Sequence, residues 1–174
     1  MKKQKNKGLI IVFTGNGKGK TTAALGVAMR MIGHGKKVVM VQFLKSGSGE
    51  SQAAKKFGSA FKIWSLGKGF TWQHSPAENK KIVREAWRKC REILKDPRYA
   101  LAIFDEINYC MEYKLLDPQK VIQELRKKTN AKHVILTGNG LPGEILDVAD
   151  LVTEMKCIRH PFQNSLPAQA GIEF

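Results

Sequence analysis

The sequence lacks any apolar run close to the length of a membrane span. A spanning helix needs about 20 consecutive apolar residues, whereas the apolar run Leu9–Phe13 ends at once in a glycine-rich loop. That run is also shorter than the apolar region of a secretory signal peptide, roughly 7–15 residues. We therefore expect a cytoplasmic protein with no membrane-embedded segment.

Cysteine is scarce as well. The three cysteines, Cys90, Cys110 and Cys157, are odd in number and far apart, which argues against a disulfide framework and against a zinc site. We expect reduced thiols. The four histidines show no metal-ligand spacing, and we interpret them as structural or surface residues.

Acidic residues are few compared with basic ones. The chain has 15 Asp and Glu against 30 Lys and Arg, a formal net charge of +15. Such an excess fits a nucleic-acid partner, an anionic cofactor or simple solubility. The basic residues are dispersed, and no long basic run with interleaved aromatic residues occurs. We therefore favour a solvated surface with an anion-binding cleft, and we do not expect a nucleic-acid partner.

What the sequence does contain is a phosphate-binding loop near its start. The loop lies between the apolar run Leu9–Phe13 and a helix-compatible stretch, Thr22–Met31, which is the strand–loop–helix context of a P-loop. Glycines let backbone N–H groups approach phosphate oxygens, Lys20 adds a full positive charge, and the Thr21 hydroxyl is suited to bind Mg²⁺. The predicted triphosphate-binding residues are Gly15, Asn16, Gly17, Lys18, Gly19, Lys20, Thr21 and Thr22.

The spacing within this loop departs from the usual P-loop pattern. Three residues, not four, separate Gly15 from the Gly19-Lys20 pair, and a four-residue spacing would begin at Thr14, which is not glycine. The loop is therefore a variant. The residues alone leave open whether the nucleotide is hydrolysed, donates a phosphoryl group or reacts in another way.

Strand-like and helix-like stretches alternate along the chain, which predicts a mostly parallel sheet of about six strands with helices on both faces. We expect a single-domain α/β P-loop fold of the RecA-like kind over residues 1–174, with a basic tail at 1–7. Strands are predicted at Leu9–Thr14, Val38–Leu44, Phe61–Leu66, Tyr99–Phe104, His133–Thr137 and Leu151–Met155. Helices are predicted at Thr22–Ile32, Pro76–Lys95, Pro118–Lys128 and Pro142–Val148, followed by an irregular C-terminal tail.

An acidic pair, Asp105-Glu106, closes the fourth predicted strand. Ligands of open α/β sheets bind at the carboxyl ends of the strands, where such a pair can help to bind Mg²⁺ opposite a P-loop. The alternative is that the pair only caps a helix. With the P-loop present, we favour the metal-binding interpretation.

Two large aromatic residues, Phe70 and Trp72, stand one residue apart in a glycine-flanked loop. Alternation puts both side chains on the same side of an extended segment. Either they fill the core beneath the loop, or a flat ligand packs against their rings. The residues by themselves leave both interpretations open.

Further short segments occur in the order found in the CobA-type corrinoid adenosyltransferases, which the chain resembles from about Gly8 to Phe174. The variant loop with its flanks, residues 13–24, resembles the loop of that family. The other matching segments are Gly33–Lys36, Val41–Phe43, Gly69–Trp72, Asp105–Tyr109, Leu136–Gly138, Ala149–Met155, His160–Phe162 and Ala168–Phe174. The ordered set, more than any one segment, is specific.

The resemblance implies transfer of the 5′-deoxyadenosyl group of ATP to the cobalt of a reduced corrinoid. Cobalt(I) attacks the ribose C5′ and inorganic triphosphate leaves, so no protein general base is required. The family holds ATP reversed along the P-loop, with the γ-phosphate near the usual position of the α-phosphate. By this resemblance Gly15 to Thr22 bind the triphosphate, and Thr21 and Glu106 bind Mg²⁺, with Asp105 as a further candidate ligand.

The same resemblance gives the aromatic loop a role. Phe70 and Trp72 would pack against the corrin and displace its lower axial ligand, which makes cobalt(II) easier to reduce. A flavodoxin-like reductase would then deliver the electron, and the family suggests a homodimer. The competing function, motivated by the net charge, is a RecA-like nucleic-acid-dependent ATPase.

The chain also departs from the family pattern. Asn139 stands where members often have Arg, which removes one anion contact. The segment before the first strand is short, the loop Lys45–Glu50 is shortened, and Asn164-Ser165 replaces a small pair. None of these departures affects the predicted loop, metal or aromatic residues.

Overall fold

The computed structural model describes residues 7–45, 47–67, 69, 74–129 and 131–172, with the backbone alone for residue 164. The aromatic loop, Phe70 to Trp72, and most of the predicted basic tail lie outside these residues. None of the helices in the described part of the chain combines the length and apolar character needed to cross a bilayer.

Six strands form one all-parallel sheet, as the alternating pattern predicted, in the order β3-β2-β4-β5-β1-β6. The strands are β1 (Ile10–Thr14), β2 (Val38–Gln42), β3 (Phe61–Ser65), β4 (Leu101–Asp105), β5 (His133–Thr137) and β6 (Leu151–Glu154). The helices are α1 (Lys20–Gly33), α2 (Gly49–Lys55), α3 (Pro76–Lys95), α4 (Ile107–Glu112), α5 (Pro118–Arg126) and α6 (Gly143–Leu146).

The helices cover both faces of the sheet, because successive residues of each buried strand point to opposite sides. Phe104 of β4 packs against Trp87 of α3, with ring centroids 6.4 Å apart and nearly perpendicular planes. Its neighbour Ile103 belongs to the other core, where Ala24 and Ala28 of α1 pack closely on the sheet. The central strands are buried on both sides, which explains their almost continuous apolar sequences.

The order of the strands brings distant parts of the chain together at one edge. Strands β4, β5 and β1 are neighbours, so Asp105, Thr137 and the loop after Thr14 emerge side by side at their carboxyl ends. This arrangement creates the position where ligands of open α/β sheets bind.

Two helices were absent from the sequence-based prediction. Ser48 begins α2 with a reciprocal cap, because its Oγ accepts a hydrogen bond from Ser51 N and its backbone N–H donates to Ser51 Oγ. Helix α4 begins directly after Glu106, which has a left-handed backbone with φ 66°. The tail, predicted to be irregular, contains a short 3₁₀ helix at Pro161–Asn164.

Candidate active site

The glycine loop joins the end of β1 to the start of α1, as predicted. Gly19 immediately precedes α1 with φ 106°, a conformation that favours glycine. No side chain of the described residues caps this helix, so the backbone N–H groups of its first turn remain for an anionic ligand. The loop lines a cavity of about 660 Å³, within the usual size range for small-molecule sites.

Lys20 is the first residue of α1, and its side chain contacts the loop. Its Nζ donates hydrogen bonds to the carbonyl oxygens of Gly15 and Gly17 at 2.7 and 2.8 Å. Burial lowers its pKa, while the negative charges of Glu106 and Asp105 act in the opposite direction. The cation is thus held by the loop at the position where phosphate charge is expected.

The chain that follows β6 is packed directly on the loop. Gly17 N donates to Met155 O at 2.7 Å. A Cβ on Gly15 would lie only 2.4 Å from the same oxygen, and a Cβ on Gly17 only 2.8 Å from it. Asn16 Oδ1 accepts a hydrogen bond from Cys157 N at 3.0 Å. Two of the loop glycines are therefore required by this contact between chain segments, in addition to any role in phosphate binding.

Asp105 is fully buried and links β4 to helix α1 and strand β5 through hydrogen bonds. Its Oδ1 accepts from the hydroxyls of Thr21 and Thr137, both at 2.8 Å. Thr137 Oγ1 in turn accepts from Glu106 N at 3.0 Å. Thr137 was not among the predicted site residues. Its signals in the sequence were its place at the end of a predicted strand and the matching segment Leu136–Gly138.

Glu106 is the N-cap residue of α4, but its side chain makes no capping hydrogen bond in the described structure, and the residue lines the cavity. Burial raises its pKa, with a further rise from the charge of Asp105. Gly138 keeps this position open, because a Cβ there would lie 3.1 Å from Glu106 Oε2 and 3.0 Å from Tyr109 N. The geometry therefore does not support the simple capping interpretation of the acidic pair.

An ion pair that was not predicted from the sequence also lines the cavity. Lys45 Nζ is 3.0 Å from Glu50 Oε1, and both residues line the cavity with the loop. Burial by itself would lower the pKa of Lys45, but the charge of Asp105 and the contact with Glu50 raise it overall. Lys45 follows β2 closely at the carboxyl edge of the sheet, a position that could have identified it.

The residues at the end of β4 offer a suitable environment for a hard cation. Asp105 Oδ2 is buried and has no hydrogen-bond partner among the described residues. The described chain contains no cluster of three or more His, Cys, Asp or Glu side chains able to hold a metal. Mg²⁺ does not need one, because it is usually bound by one or two carboxylates together with substrate phosphates and water.

The structure thus brings together most of the predicted site. Residues Asn16 to Thr22 and Glu106 line one cavity, and Asp105 is joined to it through Thr21. Asn139 is exposed and its Oδ1 accepts from Gly140 N, outside the cavity lining. Phe70 and Trp72 lie outside the described residues. The cavity also includes residues missed from sequence: Leu25, Lys45, Glu50, His160, Gly171 and Ile172.

The parallel sheet, the glycine loop between β1 and α1, and the buried acidic residue at the end of β4 are those of a P-loop nucleotide-binding protein. A family model described as ATP:corrinoid adenosyltransferase BtuR/CobO/CobP matches residues 6–174. The chain belongs to this family of enzymes, as its sequence segments indicated.

Individual relatives agree with the family model over nearly the whole chain. A corrinoid adenosyltransferase of Sinorhizobium sp. is 41% identical over 99% of this chain and 83% of its own length. One from Escherichia coli K12 is 40% identical over 98% of this chain and 88% of its own. The Salmonella typhimurium corrinoid adenosyltransferase CobA is 39% identical over 98% of this chain and 88% of its own length.

Proposed function

We propose that this protein transfers the 5′-deoxyadenosyl group of ATP to the cobalt of a reduced corrinoid. In this reaction cobalt(I) supplies the electron pair for a new cobalt–carbon bond at C5′. The bond between C5′ and the triphosphate oxygen breaks, and triphosphate leaves with that electron pair. The family match over residues 6–174 carries the proposal, because it includes the loop, the acidic pair and the tail beside them.

In this reaction the glycine loop binds the leaving group, triphosphate. Residues Gly15 to Thr22 hold the triphosphate, with ATP reversed along the loop so that C5′ points away from it. Lys20 supplies one positive charge, and Lys45, which lines the same cavity, supplies a second. Both cations stabilise the negative charge that develops on the departing triphosphate.

A magnesium ion fits beside these residues and would offset further triphosphate charge. Thr21 and Glu106 would hold it, and Asp105 Oδ2, which has no hydrogen-bond partner in the described part of the chain, would be a third oxygen. Thr137 contributes indirectly, because it orients the Asp105 carboxylate and the backbone of Glu106.

The aromatic residues Phe70 and Trp72 belong to the corrinoid side of the proposed site. They would pack against the corrin and displace its lower ligand, so that a flavodoxin-like reductase can deliver an electron to cobalt(II). We further propose that the enzyme is a homodimer. The relatives give no support to the nucleic-acid-dependent ATPase, and the dispersed basic residues do not favour it.

Product identity tests this function. The protein is incubated with ATP, Mg²⁺ and chemically reduced cobalamin, and the products are separated by chromatography. We expect triphosphate and a light-sensitive cobalt–carbon bond in equal amounts. A matched incubation with cobalamin left unreduced should give neither. Formation of ADP and phosphate in place of these products would contradict the proposal.

A further inference from the structure

The C-terminal tail extends from β6 across the nucleotide cavity. Its first residues are fixed to the loop by the Gly17–Met155 and Asn16–Cys157 hydrogen bonds. A few residues later, His160 lines the same cavity as Lys20 and Thr21. The tail is therefore positioned by the loop itself, and it places one polar ring beside the site.

The orientation of the His160 ring is fixed from within the tail. Its Nδ1 accepts a hydrogen bond from Phe162 N at 3.1 Å, and its backbone N–H donates to Gln163 Oε1 at 3.3 Å. Since Nδ1 accepts, the neutral ring carries its proton on Nε2. The residue is half-buried and lines the cavity, and Nε2 is the one ring nitrogen of the neutral side chain that can donate.

We infer that His160 is a nucleotide-binding residue whose Nε2–H donates a hydrogen bond to an oxygen of the bound nucleoside triphosphate. This inference rests on the proposed function, because it requires ATP in the cavity. It replaces the interpretation of His160 as a structural or surface residue. It also gives the tail a role: its contacts with Asn16 and Gly17 hold the donor in register with the phosphate-binding loop.

Two substitutions separate the two nitrogens of the ring. In H160N the amide oxygen can replace Nδ1 as the acceptor for Phe162 N, since Asn is a favourable N-cap residue, but the Nε2 donor is lost. In H160Q the longer side chain places an amide N–H near the position of Nε2, while the cap is weakened. A purely structural His160 would tolerate the first change better than the second.

Binding of ATP and of inorganic triphosphate is measured by calorimetry on the full chain with Mg²⁺ and without corrinoid. We expect H160N to bind ATP about tenfold more weakly or worse, the typical effect of losing a hydrogen bond to a charged group. H160Q should retain more affinity than H160N. If triphosphate binding weakens in parallel, the contact is to phosphate; if only ATP binding weakens, it is to the nucleoside.

The outcomes also distinguish this inference from the proposed function. A wild-type protein that binds neither ATP nor triphosphate would overturn both. If the wild type binds ATP and H160N binds it equally well, or if H160N and H160Q lose the same affinity, the Nε2 contact is wrong while the proposed function stands. Melting temperatures of both variants are measured alongside to verify that they fold.

Discussion

At the scale of single residues, the surroundings of Lys20 act on its positive charge in opposite directions. Its Nζ bonds to two carbonyl oxygens of its own loop, yet burial lowers its pKa. The cation is therefore partly desolvated before any ligand arrives. A desolvated charge interacts more strongly with phosphate than a hydrated one does.

We predict that Lys20→Ala abolishes productive ATP binding, with a loss of at least about 100-fold in affinity, because a charge-assisted contact in a partly buried site is removed. Lys36→Ala, a change of the same charge at an exposed position after α1, is the control and should bind normally. Calorimetric titration with ATP measures both. Near-normal binding by Lys20→Ala would show that the loop has another role.

Thr137 provides a second test at this scale. We predict that Thr137→Val lowers stability by about 1–3 kcal/mol and lowers turnover as well. Glu106 N would lose its acceptor, and Asp105 Oδ1 would lose one of its two donors. Thr137→Ser keeps the hydroxyl and should retain most of both. Urea unfolding and the adenosylation assay give the two numbers. A Thr137→Val variant as stable and as active as Thr137→Ser would show that the hydroxyl is not needed.

At the scale of elements, the start of β1 depends on a histidine. Leu9 N donates to His133 Nδ1 at 3.2 Å, and Asp150 holds the next residue through a 2.9 Å bond from Ile10 N. Burial lowers the pKa of His133, and the nearby charge of Lys128 lowers it further. A protonated ring can no longer accept the bond from Leu9.

We therefore predict that protonation of His133 lowers the stability of the protein as the pH falls. The folded-state pKa lies below the unfolded value of 6.5, so its contribution is complete above pH 6.5 and is lost as the pH falls through the folded pKa. Thermal unfolding is followed between about pH 7.5 and 5. His133→Asn, which keeps an acceptor that does not titrate, should show a flatter profile; an unchanged slope would exclude His133 as a contributor.

The loop between β3 and α3 is the element proposed to handle the corrinoid. We predict that Trp72→Ala reduces cobalt(II)-dependent turnover with a reductase more than turnover with cobalt(I) reduced beforehand. The ring is needed to displace the lower ligand before reduction and less so afterwards. Trp64→Ala, at a partly exposed tryptophan of β3, is the control. Equal losses in both assays would indicate a packing role for Trp72.

Elements with continuous patterns were predictable from the sequence, and short capped ones were not. All six strands and α3 follow from apolar runs, a Ser-Pro start and helical spacing. Helix α2 buries little beyond Ala54, so its seven residues carry no apolar face to identify them. The same holds for the site. Lys20 was predictable because it belongs to a contiguous sequence motif. Lys45, Thr137 and His160 are distant in sequence and come close to the loop only because of the order of the strands.

At the scale of the whole molecule, the two edges of the sheet differ. At the β3 edge a positive charge covers an aromatic side chain, because Lys89 Nζ lies 4.4 Å from the centroid of the Trp64 ring. On β6 all four residues are exposed, including Leu151 and Val152. In the tail that follows, Ile158 and Phe162 are 95% and 77% exposed. Open strand edges with apolar side chains are sites of pairing with another chain, so we expect the contact of the proposed homodimer at β6.

We predict that Val152→Lys converts the homodimer to a monomer, because the new charge would be buried against a second copy without a partner. Met29→Lys, at a similarly exposed apolar residue of α1, adds the same charge elsewhere and should leave the dimer intact. Sedimentation velocity at several protein concentrations distinguishes the two states. A dimer that persists in Val152→Lys would place the interface elsewhere, and a monomeric wild type would contradict the dimer itself. Since β6 leads directly into the Met155 contact with the nucleotide loop, the monomer should also bind ATP more weakly than the Met29→Lys control.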